Sequence, residues 1–475
     1  MIPVVTVEEM RSLDELAHQD IGLQVLVERA GYAVGQRALS LLGGAYGRRI
    51  LVIAGKGNNG EDGRVAAAFL MDRGAVVDIV PPDCGEIPDC VDKLAKYSYD
   101  LVIDAAYGTG FHGTYYPPVL PVGVPVLAVD IPSGVYGDTG EASGNPLQAV
   151  ETVVMAALKP GLIQSDGAKL SGRLHIADIG IDSSQTAKIH VIEDRDVADN
   201  IPARNRDAHK WMSATCIVAG SSGMMGAALM CASGALRAGA GMVRLATLGG
   251  EVDSSAIPEV VKIPLGRFGE EYSNWSSRVI EEASRCKSLV VGPGLGRSPE
   301  VVSEIRKLLQ NVPIPLVVDA DGLYALGSRS EAVDVLRGRK DIVLTPHDGE
   351  AARLTGCSIS SNRIDEARSL SVLLGVPVLL KGPTTVVADP GGDAYVVISG
   401  TPRLASAGSG DVLSGIIGGF IARCADNSRL SLVAALAAYV HGQASRLGRS
   451  EGLVAMDIPE LVAEWMSTVE LSYGH

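Results

Sequence analysis

Arg49-Ile-Leu-Val-Ile-Ala-Gly-Lys-Gly-Asn-Asn-Gly-Glu-Asp62 is the stretch on which the fold turns. Its first six residues form an apolar run that closes on glycine, the pattern of a strand buried on both faces of a parallel sheet. Upstream, the apolar spacing predicts helices over Glu8 to Asp20 and Leu23 to Leu42. Downstream come short apolar runs at Ala75 to Val80, Leu101 to Ile103 and Pro125 to Val129, several separated by helical or loop segments. This is an α/β alternation. Around residues 195–211 it lapses into a polar, charged segment with one proline, the best linker candidate. Beyond it the alternation restarts, with strands expected near 214–219, 242–247, 288–291, 315–318, 341–344 and 376–380. Two further strand-like runs follow, around the Gly391-Gly392 turn. The chain has 475 residues, enough for two or three domains at roughly 150 residues each. Two are expected, over 1–204 and 205–475.

Composition narrows the function. Hydrophobic residues make up 47% and charged residues 20%, so a large buried core is expected. A net charge of −14 and 4% aromatics argue against a nucleic-acid partner, which needs basic surface and stacking platforms. Seven scattered cysteines without CxxC spacing indicate neither a disulfide framework nor a zinc site, and a reducing cytoplasm is expected. The acidic opening MIPVVTVEEMRSLDE does not read as a signal peptide. Residues 214–236 carry no charge and are long enough to span a bilayer. The cluster Gly220-Ser-Ser-Gly223 instead reads as a turn between a strand and a small-residue helix starting near Gly226, so no membrane association is expected.

The loop GKGNNG (55–60) matches G-x-G-x-x-G after a strand, with Asp78 further on, which is the dinucleotide-binding Rossmann fingerprint. Asn58, Asn59 and Asp62 add three oxygen-bearing side chains that such a turn does not need and that suit a cation or a polar substrate. Two other strand ends agree. LVIDAAYGTG delivers Asp104 and Gly108 to Gly110, and VLAVDIPSG delivers Asp130 and Ser133. Ligands in open parallel sheets bind beyond the carboxyl ends of strands, so these groups can share one crevice. In the second half, SAGSGDVLSG (406–415) runs a glycine-rich turn into an apolar helix. Backbone N–H groups at that helix start form an anion site, and adjacent Asp411 is placed to take a proton from a hydroxyl. Asp411 as a simple helix cap is the bland alternative. VVGPGLG (290–296), VVDADGL (317–323), VLTPHDGEAARL (343–354) and VLLKGPTTVV (378–387) also put Gly, Asp, His or Lys after apolar strands, with Lys381 a phosphate contact. There is no GxxxxGK[ST] loop.

GKGNNGEDGRVAAAFL, DAAYGTG, VDIPSGVYGDTG and ALKPG, in that order, resemble the motifs of the NAD(P)H-hydrate epimerase domain. The resemblance implies a Rossmann-like three-layer αβα domain. Its substrates are NADHX and NADPHX, nicotinamide nucleotides hydrated at C6, whose R and S epimers it interconverts. On this reading Asn58, Asn59, Gly60, Glu61 and Asp62, with Gly108, Thr109, Gly110, Phe111, His112, Gly113 and Thr114, line the substrate. Asp130 is then the catalytic carboxylate, and Asn59, Asp104 and Ser133 hold a potassium ion. Glu61 departs from the family, which carries glycine there. Either it points to solvent or it weakens the site, since two like charges about 4 Å apart repel by roughly 4 kcal/mol at an effective dielectric of 20.

The later motifs, with GMMGAALMCASGALRAGAGMV (223–243) and His209-Lys210, resemble the ribokinase-like family and its ADP/ATP-dependent NAD(P)H-hydrate dehydratase branch. Trp211 stands where a glycine is usual. The branch implies phosphorylation of the C6 hydroxyl of the S epimer by ADP or ATP, then loss of phosphate. Ala227, Gly294, His347 and Asp411 would contact the hydrate, with Asp411 as base. Lys381, Gly382, Pro383, Thr384, Thr385 and Gly410 would contact the nucleotide, which brings magnesium. The family also implies a homo-oligomer. Set against a bifunctional repair enzyme are a small-alcohol kinase with a non-catalytic nucleotide-binding first domain, a binding module, and a Rossmann dehydrogenase.

Overall fold

The computed structural model describes residues 1–249, 257–265, 274–424 and 429–473. The chain divides into two compact units, Ile2–Ile189 and His190–His475, with Met1 joining the second.

In the first unit, six strands run parallel: β1 (Arg49–Ala54), β2 (Val76–Val80), β3 (Leu101–Ala105), β4 (Val126–Val129), β5 (Glu151–Met155) and β6 (Arg173–Ala177). Their order across the sheet is β2-β1-β3-β4-β5-β6. Alternation within one run decides the layers. Ile50, Val52 and Ala54 pack on one face with Leu26, Ala30 and Val34 of α2 (Leu23–Leu42) and Ala66 and Leu70 of α3 (Asn58–Met71). Leu51 and Ile53 pack on the other face with Leu94, Tyr99 and Phe111. The expected three-layer αβα architecture follows. A helix before α2, α1 (Val7–Asp20), is closed at its start by a Thr6–Glu9 capping box. The sequence reading missed β5 and β6, and in the second unit the strand Val261–Pro264. In β5, Glu151 and Thr152 interrupt the apolar run yet are buried.

The second unit holds β7 (Ala214–Val218), β8 (Met242–Thr247), β9 (Val261–Pro264), β10 (Ser288–Val291), β11 (Leu316–Val318), β12 (Ile342–Leu344), β13 (Val378–Leu380), β14 (Thr385–Ala388) and β15 (Ala394–Val397). These lie in the order β15-β14-β13-β12-β11-β10-β7-β8-β9. From β13 to β9 the neighbours are parallel, whereas β13, β14 and β15 form an antiparallel meander around the expected turn. Three helices matter below: α4 (Met225–Arg237), α5 (Asp348–Thr355) and α6 (Ser409–Arg423).

The uncharged stretch 214–236 is β7, a turn and α4, and no described helix is long and apolar enough to cross a membrane. Its small residues serve close helix packing. A Cβ at Gly234 would sit 2.4 Å from the Val412 carbonyl oxygen, and one at Gly415 would sit 1.9 Å from that of Cys231, so α4 and α6 touch backbone to backbone.

Two expectations are corrected. The first residues of the supposed linker, 195–200, lie in a helix, Asp194–Asn200, whose Val197, with Ile192 and Ile201, belongs to the core of the second unit. Residues 190–204, expected to close the first domain, therefore pack with the second, because three buried apolar residues outweigh a polar composition. Cysteine pairing also differs, since Cys84 and Cys90 form a disulfide across a short 3-10 turn. The other five cysteines are free.

Candidate active sites

A cavity of about 600 Å³ opens at the carboxyl ends of β1, β3 and β4. Strand β1 ends in a turn of glycines with distinct duties. A Cβ at Gly55 would lie 2.0 Å from the Ala106 carbonyl oxygen and one at Gly60 2.0 Å from that of Gly55, whereas nothing lies within 4 Å of one at Gly57. Gly57 leaves room for a ligand beside the start of α3. Of the residues expected at this site, Asn58, Asn59, Asp62, Gly108, Thr109, Gly110, Phe111 and Asp130 line the cavity, whereas Gly60, Glu61, His112, Gly113 and Thr114 do not. Glu61 sits in the first turn of α3, where the helix dipole favours an acid. Its half-exposed side chain pairs with Arg64 at 2.9 Å, so it turns to solvent.

Asp130 follows β4 in a left-handed conformation, φ +65°, which Asp tolerates better than most residues. The turn brings its carboxylate within 2.5 Å of Lys159 Nζ, which also donates to the Met155 carbonyl oxygen at 2.9 Å. Lys159 is 1% exposed, and the ion pair is what makes its burial tolerable. Asp62 is nearly buried, and its carboxyl is pushed up to about 8, first by burial and then by the charges of Asp130, Asp14 and Glu61. Burial also raises Asp14, which α1 contributes to the cavity wall along with His18. The reading from sequence missed Lys159, Asp14 and His18. Lys159 lay within the quoted ALKPG, but nothing in that motif shows that its side chain meets Asp130.

Beneath this cavity Asp104 is fully buried. Its carboxylate accepts from Ser133 Oγ–H at 2.6 Å and Ser133 N–H at 3.0 Å, and Tyr107 N–H donates to Ser133 Oγ at 2.9 Å. No cationic side chain among the described residues pairs with it, and burial raises its carboxyl above the ordinary range. Asn59, whose Oδ1 faces Gly108, has a buried amide nitrogen without a partner. Asp78, the acidic residue of the dinucleotide fingerprint, is held by Arg49 Nη1 at 2.7 Å and lies outside the cavity wall.

In the second unit a cavity of about 540 Å³ is lined by Lys381, Gly382, Pro383, Thr385 and Gly410, five of the six residues expected to contact a nucleotide. Thr384 is buried instead, and its carbonyl accepts from Arg363 Nε at 2.9 Å. Lys381 Nζ bonds Asp319 at 2.7 Å and approaches Glu350 at 3.9 Å. Burial opposes the charge on Lys381, but the two carboxylates hold its pKa above the usual value. Asp319 receives Ser414 Oγ–H at 2.7 Å, and burial would raise its pKa, yet Lys381 and these hydrogen bonds hold it down. Asp411, in the first turn of α6, goes the other way. Burial and then Asp319 push it up to about 6.

Ala227 and Gly294 come together, since a Cβ at Gly294 would lie 3.1 Å from Ala227 Cβ. His347 caps α5, its Nδ1 accepting from Gly349 N–H at 3.0 Å, and its backbone bridges to Lys381. Neither these three residues nor Asp411 line the 540 Å³ cavity. Asp319 and Glu350 stood in the quoted motifs but went unassigned. Trp211 stacks under Arg285 at 4.0 Å, and His209 beside it is exposed.

Comparison with known proteins agrees. The family described as NAD(P)H-hydrate dehydratase matches residues 215–466, and the YjeF-related protein N-terminus matches 23–86 and 85–161. The bifunctional NAD(P)H-hydrate repair enzyme of Moorella thermoacetica is 35% identical, the alignment covering 97% of this chain and 95% of that protein. Its counterpart from Mycobacterium tuberculosis is 36% identical over 84% of each. A ribokinase-like superfamily protein from Enterococcus faecalis superposes with a TM-score of 0.51 at 20% identity, over 59% of this chain and 96% of its own, which supports the fold of the second unit. With alignments that span both units, the chain belongs to the family of bifunctional NAD(P)H-hydrate repair enzymes.

Proposed function

We propose that the first unit interconverts the R and S epimers of NADHX and NADPHX, and that the second dehydrates the S epimer at the expense of ADP or ATP. One observation carries the reading. In a single chain of this family, the 600 Å³ and the 540 Å³ cavity each have at or beside them a carboxyl group displaced toward neutral pH, Asp62 in the first and Asp411 in the second.

Inversion at C6 needs an acid and a base on the same substrate, whether the ring opens or the hydroxyl leaves. Asp62, protonated at neutral pH, supplies the acid. Asp130, hydrogen-bonded to Lys159 Nζ at 2.5 Å, supplies the base, and Lys159 holds it in place. The oxygens of Asn59, Asp104 and Ser133 suit a potassium ion, because Asp104 is a buried carboxylate without a cationic side chain. An ion held there would supply positive charge to the site.

In the second unit Asp411 takes the proton of the C6 hydroxyl as the oxygen attacks the terminal phosphorus of the nucleotide. The N–H groups at the start of α6 and Lys381 Nζ stabilise the transferring phosphoryl group. The ring nitrogen lone pair then expels phosphate from C6, and loss of a C5 proton restores the double bond of NAD(P)H. Hydroxide is a poor leaving group and phosphate a good one, so the nucleotide is consumed. Among the described residues no group of three His, Cys, Asp or Glu is built to hold a metal. Magnesium would be held chiefly by the substrate phosphates, with Glu350, 3.9 Å from Lys381 Nζ, a carboxylate available at that end.

The test is recovery of 340 nm absorbance when the protein meets mixed R- and S-NADHX with magnesium, potassium and ADP or ATP. Complete recovery is expected. A plateau at the initial S fraction would refute the epimerase assignment, and release of a phosphorylated hydrate as product would turn the second unit into a kinase.

A further inference from the structure

One carboxyl group in the wall of the 600 Å³ cavity has no part in the chemistry above. Asp14 reaches the cavity from α1, on the same face as Met10 and His18 one turn to either side. The chain entering α1 fixes where that face lies. Val5 N–H donates to the Leu158 carbonyl oxygen at 2.9 Å, and Met10 and Leu13 pack with Ala156 and Ala157. The helix is thus seated on the segment between Met155 and Lys159, both of which also line the cavity. This sets Asp14 beside the Lys159–Asp130 pair, but from a different element, since Asp130 follows β4. Its side chain is half-buried, so a ligand in the cavity can reach it. Among the described residues it makes no hydrogen bond and no ion pair, and burial raises its carboxyl above the ordinary range.

A half-buried carboxyl that gives up its water to a ligand needs a partner in exchange. The substrate phosphates cannot be that partner, because a carboxylate repels them, and Lys56 with the start of α3 offers them a better place in the same cavity. Two kinds of group remain, the ribose hydroxyls and the carboxamide that the hydrated ring carries at C3, opposite the reacting C6. A ribose diol is held best by an ionised carboxylate. Asp14 shares its cavity with Asp62 and Asp130, and Lys159 is already committed to Asp130, so this neighbourhood favours a neutral carboxyl. A neutral carboxyl presents one O–H and one C=O side by side, which match the C=O and N–H of a primary carboxamide in a closed pair. Resting on the epimerase reading of this cavity, we propose that Asp14 binds the carboxamide of the hydrated nicotinamide ring through a two-point hydrogen-bonded pair. Asp14 is thereby a specificity-determining residue for the carboxamide over other groups at C3.

The experiment measures R/S interconversion by the full chain, through chromatography of the epimers, for NADHX and for the hydrate of the 3-acetylpyridine analogue of NADH. The methyl ketone of the analogue keeps the carbonyl and lacks the N–H. With each rate divided by the spontaneous rate of the same compound, the native chain is expected to favour NADHX about tenfold in kcat/KM, the scale of one neutral hydrogen bond. Asp14→Ala should bring that ratio close to one, and Asp14→Asn, which keeps one donor and one acceptor, should retain most of it. The proposal falls if the native chain turns over both hydrates alike or if the preference survives Asp14→Ala. It falls equally if Asp14→Ala slows both hydrates by the same factor, the mark of a structural role or of a contact to the ribose. Should Asp14→Ala fail to fold, Asp14→Leu, close in size and unable to hydrogen-bond, takes its place. Absence of any epimerisation of NADHX would sink the epimerase reading and this inference together, whereas epimerisation without the preference would sink only the inference.

Discussion

Asp62→Asn is expected to stabilise the first unit, and to do so increasingly as the pH rises. In the folded chain Asp62 titrates at about 8, whereas an unfolded Asp titrates near 3.8. Below 3.8 the carboxyl is protonated in both states and imposes no penalty. Between the two values unfolding releases a proton, so stability is lost steadily as the pH climbs toward the folded value. The slope is about 1.36 kcal/mol per pH unit, independent of where the upper limit falls. From pH 5 to pH 7 the native chain should therefore lose about 2.7 kcal/mol relative to a variant with no titrating group at this position. For a unit of this size that corresponds to roughly 5–11 °C in Tm. Scanning calorimetry of both full chains at pH 5, 6 and 7 would show the gap widening in one transition. A gap that stays constant over this range would mean that Asp62 titrates normally and cannot be the acid of the epimerase site.

The remaining predictions concern the two sites separately. Asp411→Asn should slow dehydration by roughly 10²–10⁴-fold while R/S interconversion, followed by chromatography of the epimers, continues. In the native chain the dehydration rate should fall as the pH drops through about 6, because the base is then protonated; a rate indifferent to this range would remove Asp411 from that role. Lys381→Met leaves Asp319 buried without its cation and should cost about 3–5 kcal/mol. Adding Asp319→Asn should restore much of that in thermal melts, and no restoration would mean that the pair is not what supports the site. Replacing potassium by lithium should slow epimerisation and leave dehydration untouched, and equal loss of both would argue against the Asn59, Asp104, Ser133 site.

Local pattern sufficed for much of the fold. The run Arg49–Ala54 followed by GKGNNG is a strand, a turn and a helix on any reading, because apolar continuity and glycine act within a few residues of one another. The same holds for β7, β8 and β10 through β13, for the β14–β15 turn, and for the glycine-rich start of α6 beside Asp411, whereas β9, a short run with a lysine in it, went unread. Strand β5 escaped because burial of Glu151 and Thr152 is a tertiary fact, with Arg37 of α2 reaching across to the carboxylate. The helix at 194–200 escaped because its polar surface concealed the residues that dock it.

At the sites, the residue types were legible and their partners were not. Sequence placed Asp130, Asp104 and Asp411 after strands or at a helix start, where ligands gather. Only the folded chain showed that Asp130 meets Lys159 from 29 positions away, that Asp319 and Lys381 neutralise each other across 62, and that Glu61 turns outward. Periodicity and turn chemistry are short-range and are written in order along the chain. Burial, charge pairing and the pKa values they set depend on which distant segments the packed sheets bring together.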